Sequence, residues 1–184
     1  MTDLSDAERE GHQPALVQLP VRVHYHQMYL REEGSDLSGM LDDSLATSVG
    51  IVCVRPGITL LTTGLHTGTV GLTVAVADHD PGADLAAYED VVELSYQSPT
   101  GVVWLEDWNG QRHPLPPLAE GPGWYRLRYH ARGMDAAQQA DTDTSEEPID
   151  EYLLQIWPEP DNQPAVVKLT SDAARYWVDH SAEA

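Results

Sequence analysis

From Leu16 onward apolar and polar side chains alternate: Leu19, Val21, Val23, Tyr25 and Gln27 fall on one side of an extended chain, and Arg22, His24, His26 and Met28 on the other. The alternation predicts one long half-buried strand. Residues 32–48 are acidic and rich in Gly and Ser, with Leu37, Met40, Leu41 and Leu45 at helical spacing, and read as a loop carrying a short helix. Residues 49–54, 58–62 and 69–77 are β-branched segments separated by Pro56-Gly57 and by Gly64 and Gly68, the punctuation of successive strands. Asp80-Pro-Gly82 marks a turn, and residues 83–88 suit a brief helix. Val91, Glu93 and Ser95 then alternate with Val92, Leu94 and Tyr96, and Ser98-Pro-Thr-Gly101 joins this strand to residues 102–108 as a hairpin. Pro114, Pro116 and Pro117 impose an extended stretch without ladder donors.

The clearest strand covers residues 124–131, with Tyr125, Leu127, Tyr129 and Ala131 on one face and Trp124, Arg126, Arg128 and His130 on the other. Residues 134–149 turn polar and acidic and read as a surface loop. Residues 151–157 and 165–170 return to strand. Ser171-Asp172 then supplies N-capping chemistry for a helix with Ala174, Trp177 and Val178 at helical spacing. About nine or ten short strands, closely spaced turns and no long amphipathic helix predict an all-β fold. The expected form is an antiparallel β-sandwich with a short C-terminal helix, a barrel being the other closure. Residues 1–14, acidic and almost without apolar content, read as a flexible tail, and 15–184 as a single domain.

Charge changes the picture. Thirty acids against ten bases give a formal charge of −20 on 184 residues, and no Lys or Arg interrupts the stretches between Arg31 and Arg55, Arg55 and Arg112, or Arg132 and Lys168. Such a field favours a cationic partner and disfavours nucleic acid and anionic membrane, whose phosphates need clustered bases. No apolar run approaches the ~18 residues of a membrane helix, and the first residues lack the basic, then apolar, pattern of a secretion signal, so a cytoplasmic location is expected. With Cys53 alone, neither an internal disulfide nor a cysteine-based zinc cage is available, and its apolar neighbours suggest a buried small side chain. Phe is absent, which leaves five Trp, eight Tyr and the aliphatic residues to fill the core.

Candidate chemistry is sparse. His24 and His26, two apart on a strand, would share a face, but no third metal ligand accompanies them. Adjacent acids such as Glu106-Asp107, Asp42-Asp43 and Glu89-Asp90 point to opposite faces of a strand and cannot flank one bond. Asp78-His79-Asp80 and the acids between Asp141 and Asp150 lack the spacing and fixed glycine of a calcium loop. No Gly-x-Ser-x-Gly elbow occurs, and Gly64 and Gly68 lack the Lys of a phosphate loop. The expectation is a non-enzymatic protein without metal or cofactor. Arg126, Arg128, His130 and Arg132 form a basic stripe that suits an anion or an interface, unless neighbouring strands neutralise it through carboxylates such as Glu93 or Glu151. Trp104, Trp108, Trp124 and Trp157 could stack on sugar rings, which keeps a small-ligand or carbohydrate-binding module as the alternative function.

Tyr25-His26-Gln27, Tyr88-Glu89, Gly101-Val-Val-Trp104, Gly123-Trp-Tyr-Arg-Leu-Arg128 and Asp150-Glu-Tyr-Leu-Leu-Gln-Ile156 follow one another in an order that resembles the competence protein J family, over residues 21–157. The resemblance implies a small β-sandwich that inhibits and partners a nuclease. The chain departs from that family in its greater length, its acidic insertion at 135–149 and its helical tail. Residues 123–133 followed by 151–160 also resemble a pattern in uncharacterised actinobacterial proteins, which implies a bacterial origin. Resemblance and charge together suggest an inhibitor or immunity-type protein that presents carboxylates to the basic cleft of a nuclease or toxin. The expected surface is Asp141, Asp143, Glu146, Glu147, Asp150 and Glu151. An exposed sheet edge would also allow a homodimer.

Overall fold

The computed structural model describes residues 13–38 and 46–181. Most of the expected tail, residues 1–12, and the centre of the expected short helix, with Met40, Leu41 and Leu45, lie outside these residues. The described chain is all-β in class, with two sheets and two short helices. Among the described residues thirteen strands exceed the expected nine or ten because several are only two to four residues long, too short to show an alternation.

One sheet contains, in spatial order, β1 (Ala15–Val23), β6 (Thr67–Val76), β12 (Glu151–Pro158), β10 (Gly123–Arg132), β7 (Asp90–Ser98) and β13 (Ala165–Lys168), with β11 (Thr142–Asp143) also paired to β6. The other orders β3 (Thr47–Val49), β4 (Val52–Arg55), β5 (Ile58–Thr62), β2 (Gln27–Arg31), β8 (Trp104–Glu106) and β9 (Arg112–Pro114). The expectation of purely antiparallel pairing is corrected at β6, which pairs in parallel with both β12 and β11. Period-two alternation is identical for either strand direction, and these partners are remote in sequence, so no local pattern distinguishes the two.

Two further expectations fail at the crossings between sheets. The long strand expected from residue 16 breaks at Tyr25 and His26, both left-handed (φ 53° and 63°), with the Gln27 amide donating to the His24 carbonyl at 3.2 Å. This is type I′ turn geometry, and it passes the chain from β1 in one sheet to β2 in the other. Asn-Gly would have announced it; Tyr-His does not. Likewise β7 and β8 do not form the expected hairpin but lie in different sheets. Their connection is organised by Glu32, 1% exposed, whose carboxylate accepts from the Tyr96 and Ser98 hydroxyls and from the Thr100 amide and hydroxyl. Residues 83–88 are turn rather than helix.

Residues from both sheets share one core, from Val21, Val70, Leu94 and Leu127 to Met28, Leu30, Leu61 and Leu105. Tyr96, Tyr125, Tyr129 and Tyr152 fill the volume that Phe would occupy. Each hydroxyl finds an acceptor, respectively Glu32, the Gly121 carbonyl, the Thr62 carbonyl and Asp150, so burying these rings strands no polar atom. Cys53 is half-buried on β4.

The segment expected as an acidic loop is structured in part: α1 (Met134–Ala140) and β11 occupy its first half. Met134 and Ala137 are buried in the core, and Gly64 makes the approach possible, since a Cβ there would stand 2.5 Å from the Met134 carbonyl oxygen. Acidic composition masked a helix anchored by only two side chains. The C-terminal helix α2 (Asp172–Ser181) is capped as its sequence predicts, the Ser171 hydroxyl accepting from the Ala174 amide. Asp135 of α1 adds a second cap by accepting from the Asp172 and Ala173 amides, and Trp177 packs on the core.

Candidate functional site

The basic stripe is internal. Arg126, Arg128 and His130 are 3%, 6% and 0% exposed, covered by the segments around Asp80 and Asn162. Glu93, opposite them on β7, bonds to both Arg126 and Arg128, and Asp80 takes a two-pronged bond from Arg128. The Arg128 guanidinium also lies over the Trp157 ring at 4.6 Å. Hydrogen bonding from Arg128 holds the Asp80 carboxyl below its ordinary range. His130 accepts at Nε2 from the Asp84 amide and donates from Nδ1 to the Leu153 carbonyl, and burial lowers its pKa. Only Arg132 reaches solvent, paired with Glu151 and lying over the Tyr88 ring. As an anion strip the stripe is therefore corrected: three of its four members carry no fork free for an external anion.

The expected acidic surface divides. Asp141, Glu146 and Glu147 are exposed and Asp143 is half-exposed. Bonds from the Ser145 hydroxyl and amide keep the Asp143 carboxyl below its usual range, and so ionised. Glu151 is committed to Arg132. Asp150 is corrected outright: it is fully buried, its Oδ2 accepting from the Gly64 and Leu65 amides and the Tyr152 hydroxyl while its Oδ1 has no partner. Burial pushes this carboxyl upward against the pull of those donors. It ties the β5–β6 connection to the start of β12.

That connection meets the β1–β2 turn in an aromatic cluster that joins His24, His26 and Trp108, weighed separately in the sequence, to Tyr25 and His66. The turn between β1 and β2 projects Tyr25, 55% exposed, against Trp108, 40% exposed, with ring centroids 5.3 Å apart. His24 lies edge-on to Trp108 and tilted against Tyr25, His66 lies edge-on to Tyr25 and to His24, and His26 lies 4.9 Å from His66 and 6.0 Å from Trp177. The turn is held by amide and carbonyl bonds from His26 to His66 and Thr63, while the Trp108 amide donates to Arg22 at the end of β1. Burial, then the nearby His66, lower the His26 pKa, with the Thr63 bond opposing. The three Nδ1 atoms are occupied by Thr67 and the Thr63 carbonyl, and among the described residues no group of three His, Cys, Asp or Glu is placed to hold a metal.

The cluster and the acids meet. The Asp141 carbonyl accepts from the His66 and Thr67 amides, and β11 pairs with the first residues of β6, which places Asp141 beside His66 and Asp143 opposite Gly68. One end of the molecule thus presents two large aromatic side chains with the acidic segment 141–143 alongside, while Glu146 lies farther along the sheet beside Gln18, Thr69, Tyr88 and Arg132. Sequence reasoning missed it because Tyr25, His66 and Trp108 lie on separate connections. The residual signal was the pair Tyr25-His26 itself, an unusual choice for a turn.

No family model matches the chain, and no curated protein matches it. Among solved structures, the chain resembles ComJ of Bacillus subtilis, an inhibitor of the DNA degrading activity of NucA. The TM-score is 0.52 at 10% identity, over 80% of this chain and 100% of that one. A protein described as Crocagin biosynthetic gene J aligns with a TM-score of 0.48 at 12% identity, over 80% of this chain and 99% of that one. At such identities the likeness is one of architecture, and the conclusion it carries is that this chain has a ComJ-like fold.

Proposed function

We propose that the protein is a non-enzymatic inhibitor that masks the basic cleft of a nuclease or toxin with Tyr25, Trp108 and the acidic segment that runs from Asp141 and Asp143 beside them to Glu146 and Glu147. The observation that carries this reading is the exposed, packed pair of Tyr25 and Trp108 beside the acidic segment 141–143, on a chain of net charge −20. Buried aromatic side chains dominate binding energy at interfaces, and complementary charge sets approach and orientation. The likeness to ComJ supports the same reading, since that protein inhibits a DNA-degrading enzyme. Two sheets around one core support a single sandwich-like domain from residue 15 as the scaffold. The acidic field argues against binding nucleic acid. Among the described residues no helix is long and apolar enough to cross a membrane; a cytoplasmic site of action and a dimer through a free sheet edge remain part of the proposal.

The test is inhibition. A basic nuclease or toxin recovered on the immobilised protein at low salt, then assayed alone, should lose activity at an equimolar ratio and regain it as ionic strength rises. Full activity of every recovered basic protein in the presence of excess inhibitor would overturn the reading.

A further inference from the structure

Four of the five tryptophans have a partner on the ring: Trp104 lies under the Arg112 guanidinium at 4.3 Å, Trp157 under that of Arg128, Trp108 against Tyr25 and Trp177 against His26. Trp124 has none among the described residues, and it is 42% exposed. It stands at the start of β10 on the wall of a cleft of about 420 Å³ between the sheets, which Gln97, Arg55, Asp161, Asn162 and Gln163 also line. That volume falls within the range of small-molecule sites.

The amide wall is held in place from beneath. Buried Arg126 donates to the Asn162 and Gln163 carbonyls at 3.4 and 2.9 Å, and the Ser95 hydroxyl accepts from the Asn162 amide at 2.9 Å. The Asn162 side-chain oxygen accepts from the Gln163 amide at 2.8 Å, which fixes that side chain as well. The backbone of this segment is thus committed inward, and among the described residues the side-chain amides of Gln97 and Gln163 and the indole N–H of Trp124 carry no internal hydrogen bond. Arg55 and Asp161 add one charge of each sign, so the cleft favours neither an anion nor a cation. An open indole face beside unengaged donors and acceptors on a fixed backbone matches a pyranose ring, whose C–H face stacks while its hydroxyls both give and take hydrogen bonds. Phosphorylated ligands are disfavoured by the net charge of the chain.

We infer that this cleft is a binding site for a neutral oligosaccharide, with Trp124 as the stacking platform and Gln97, Asn162 and Gln163 as the hydroxyl-reading wall. The site is independent of the aromatic and acidic end, and its occupancy does not require the inhibitor reading. The experiment follows the Trp indole N–H signals by NMR as cellotriose, maltotriose, xylotriose and N-acetylchitotriose are titrated to millimolar concentration. The expected result is a saturable shift confined to Trp124 with at least one of these sugars, unchanged by added salt. Trp124→Ala should weaken binding about tenfold or more and Gln163→Ala by a smaller factor, while Trp108→Ala leaves it intact. Thermal unfolding of each variant separates lost binding from lost fold, and Gln163→Ala, altering an exposed side chain, keeps the test open if Trp124→Ala unfolds. No shift with any of the sugars, or binding that survives both substitutions, overturns the inference.

Discussion

Asp150 and Tyr25 show how individual residues are given to different ends. The Asp150 carboxyl titrates above its ordinary range because it is buried. The folded chain therefore holds that proton more tightly than the unfolded chain, where the value is about 3.9. The resulting stability is complete below the unfolded value and is lost as the pH rises through the raised folded value. Asp150→Asn cannot ionise, so its melting temperature should gain on that of the native chain as pH climbs from about 4 towards neutrality; the reverse trend would show that the three donors outweigh burial. Tyr25 presents the opposite case. A left-handed tyrosine at a two-residue turn is disfavoured where Asn is at ease, and its side chain is mostly in solvent. Tyr25→Asn should leave the melting temperature unchanged or raise it, by up to about 1 kcal/mol of stability, while partner affinity falls at least about tenfold. Calorimetry and a binding titration on the same sample check both halves. The strain would then be explained by what Tyr25 touches outside the molecule.

At the scale of elements, the two helices depend on each other. Asp135 closes the N-terminus of α2 from α1, and Ser171 does so from within. Asp135→Ala should cost about 1 kcal/mol, read as a lower melting temperature, and loosen α2 without disturbing the strands, a pattern that hydrogen exchange resolves. The Ser171 cap was legible in sequence because a cap is a local contact. The Asp135 cap was not, since nothing near Asp135 names the helix it serves. The same distinction explains the strands: β10 was read correctly from its alternation, whereas the β1–β2 and β7–β8 crossings and the parallel β6–β12 ladder depend on distant partners. Of the candidate site, the exposed acids were legible from composition, but the burial of Asp150 and the meeting of Tyr25 with Trp108 were not.

On the scale of the whole molecule, the arginines are largely consumed within the fold. Arg31, Arg112, Arg126, Arg128 and Arg132 pair with Glu106, Glu33, Glu93, Asp80 and Glu151, so the acids around Asp141 face solvent with little positive charge to offset them. If the proposed inhibitor role holds, long-range attraction governs encounter with a basic partner, and contact of Tyr25 and Trp108 governs residence. Replacing Asp141 and Asp143 by Asn together with Glu146 and Glu147 by Gln should slow association by about tenfold at low salt and flatten its ionic-strength dependence, with dissociation little changed. Trp108→Ala should do the converse, speeding dissociation. Stopped-flow or surface-binding kinetics at two salt concentrations distinguish them, and equal effects of both variants on dissociation alone would remove the steering role.

The amino-acid sequence by itself determined the all-β class, the principal strand faces, the C-terminal helix with its serine cap, and a strongly negative field. These follow from alternation, turn residues and charge count, which operate over a few neighbours or over the chain as a sum. Tertiary structure alone decided which arginines would be neutralised, which acids would be buried, and which connections would meet at one end. Each of those depends on desolvation and pairing between residues far apart in the chain, and a side chain's neighbours across a sheet are set by register rather than by the residues beside it.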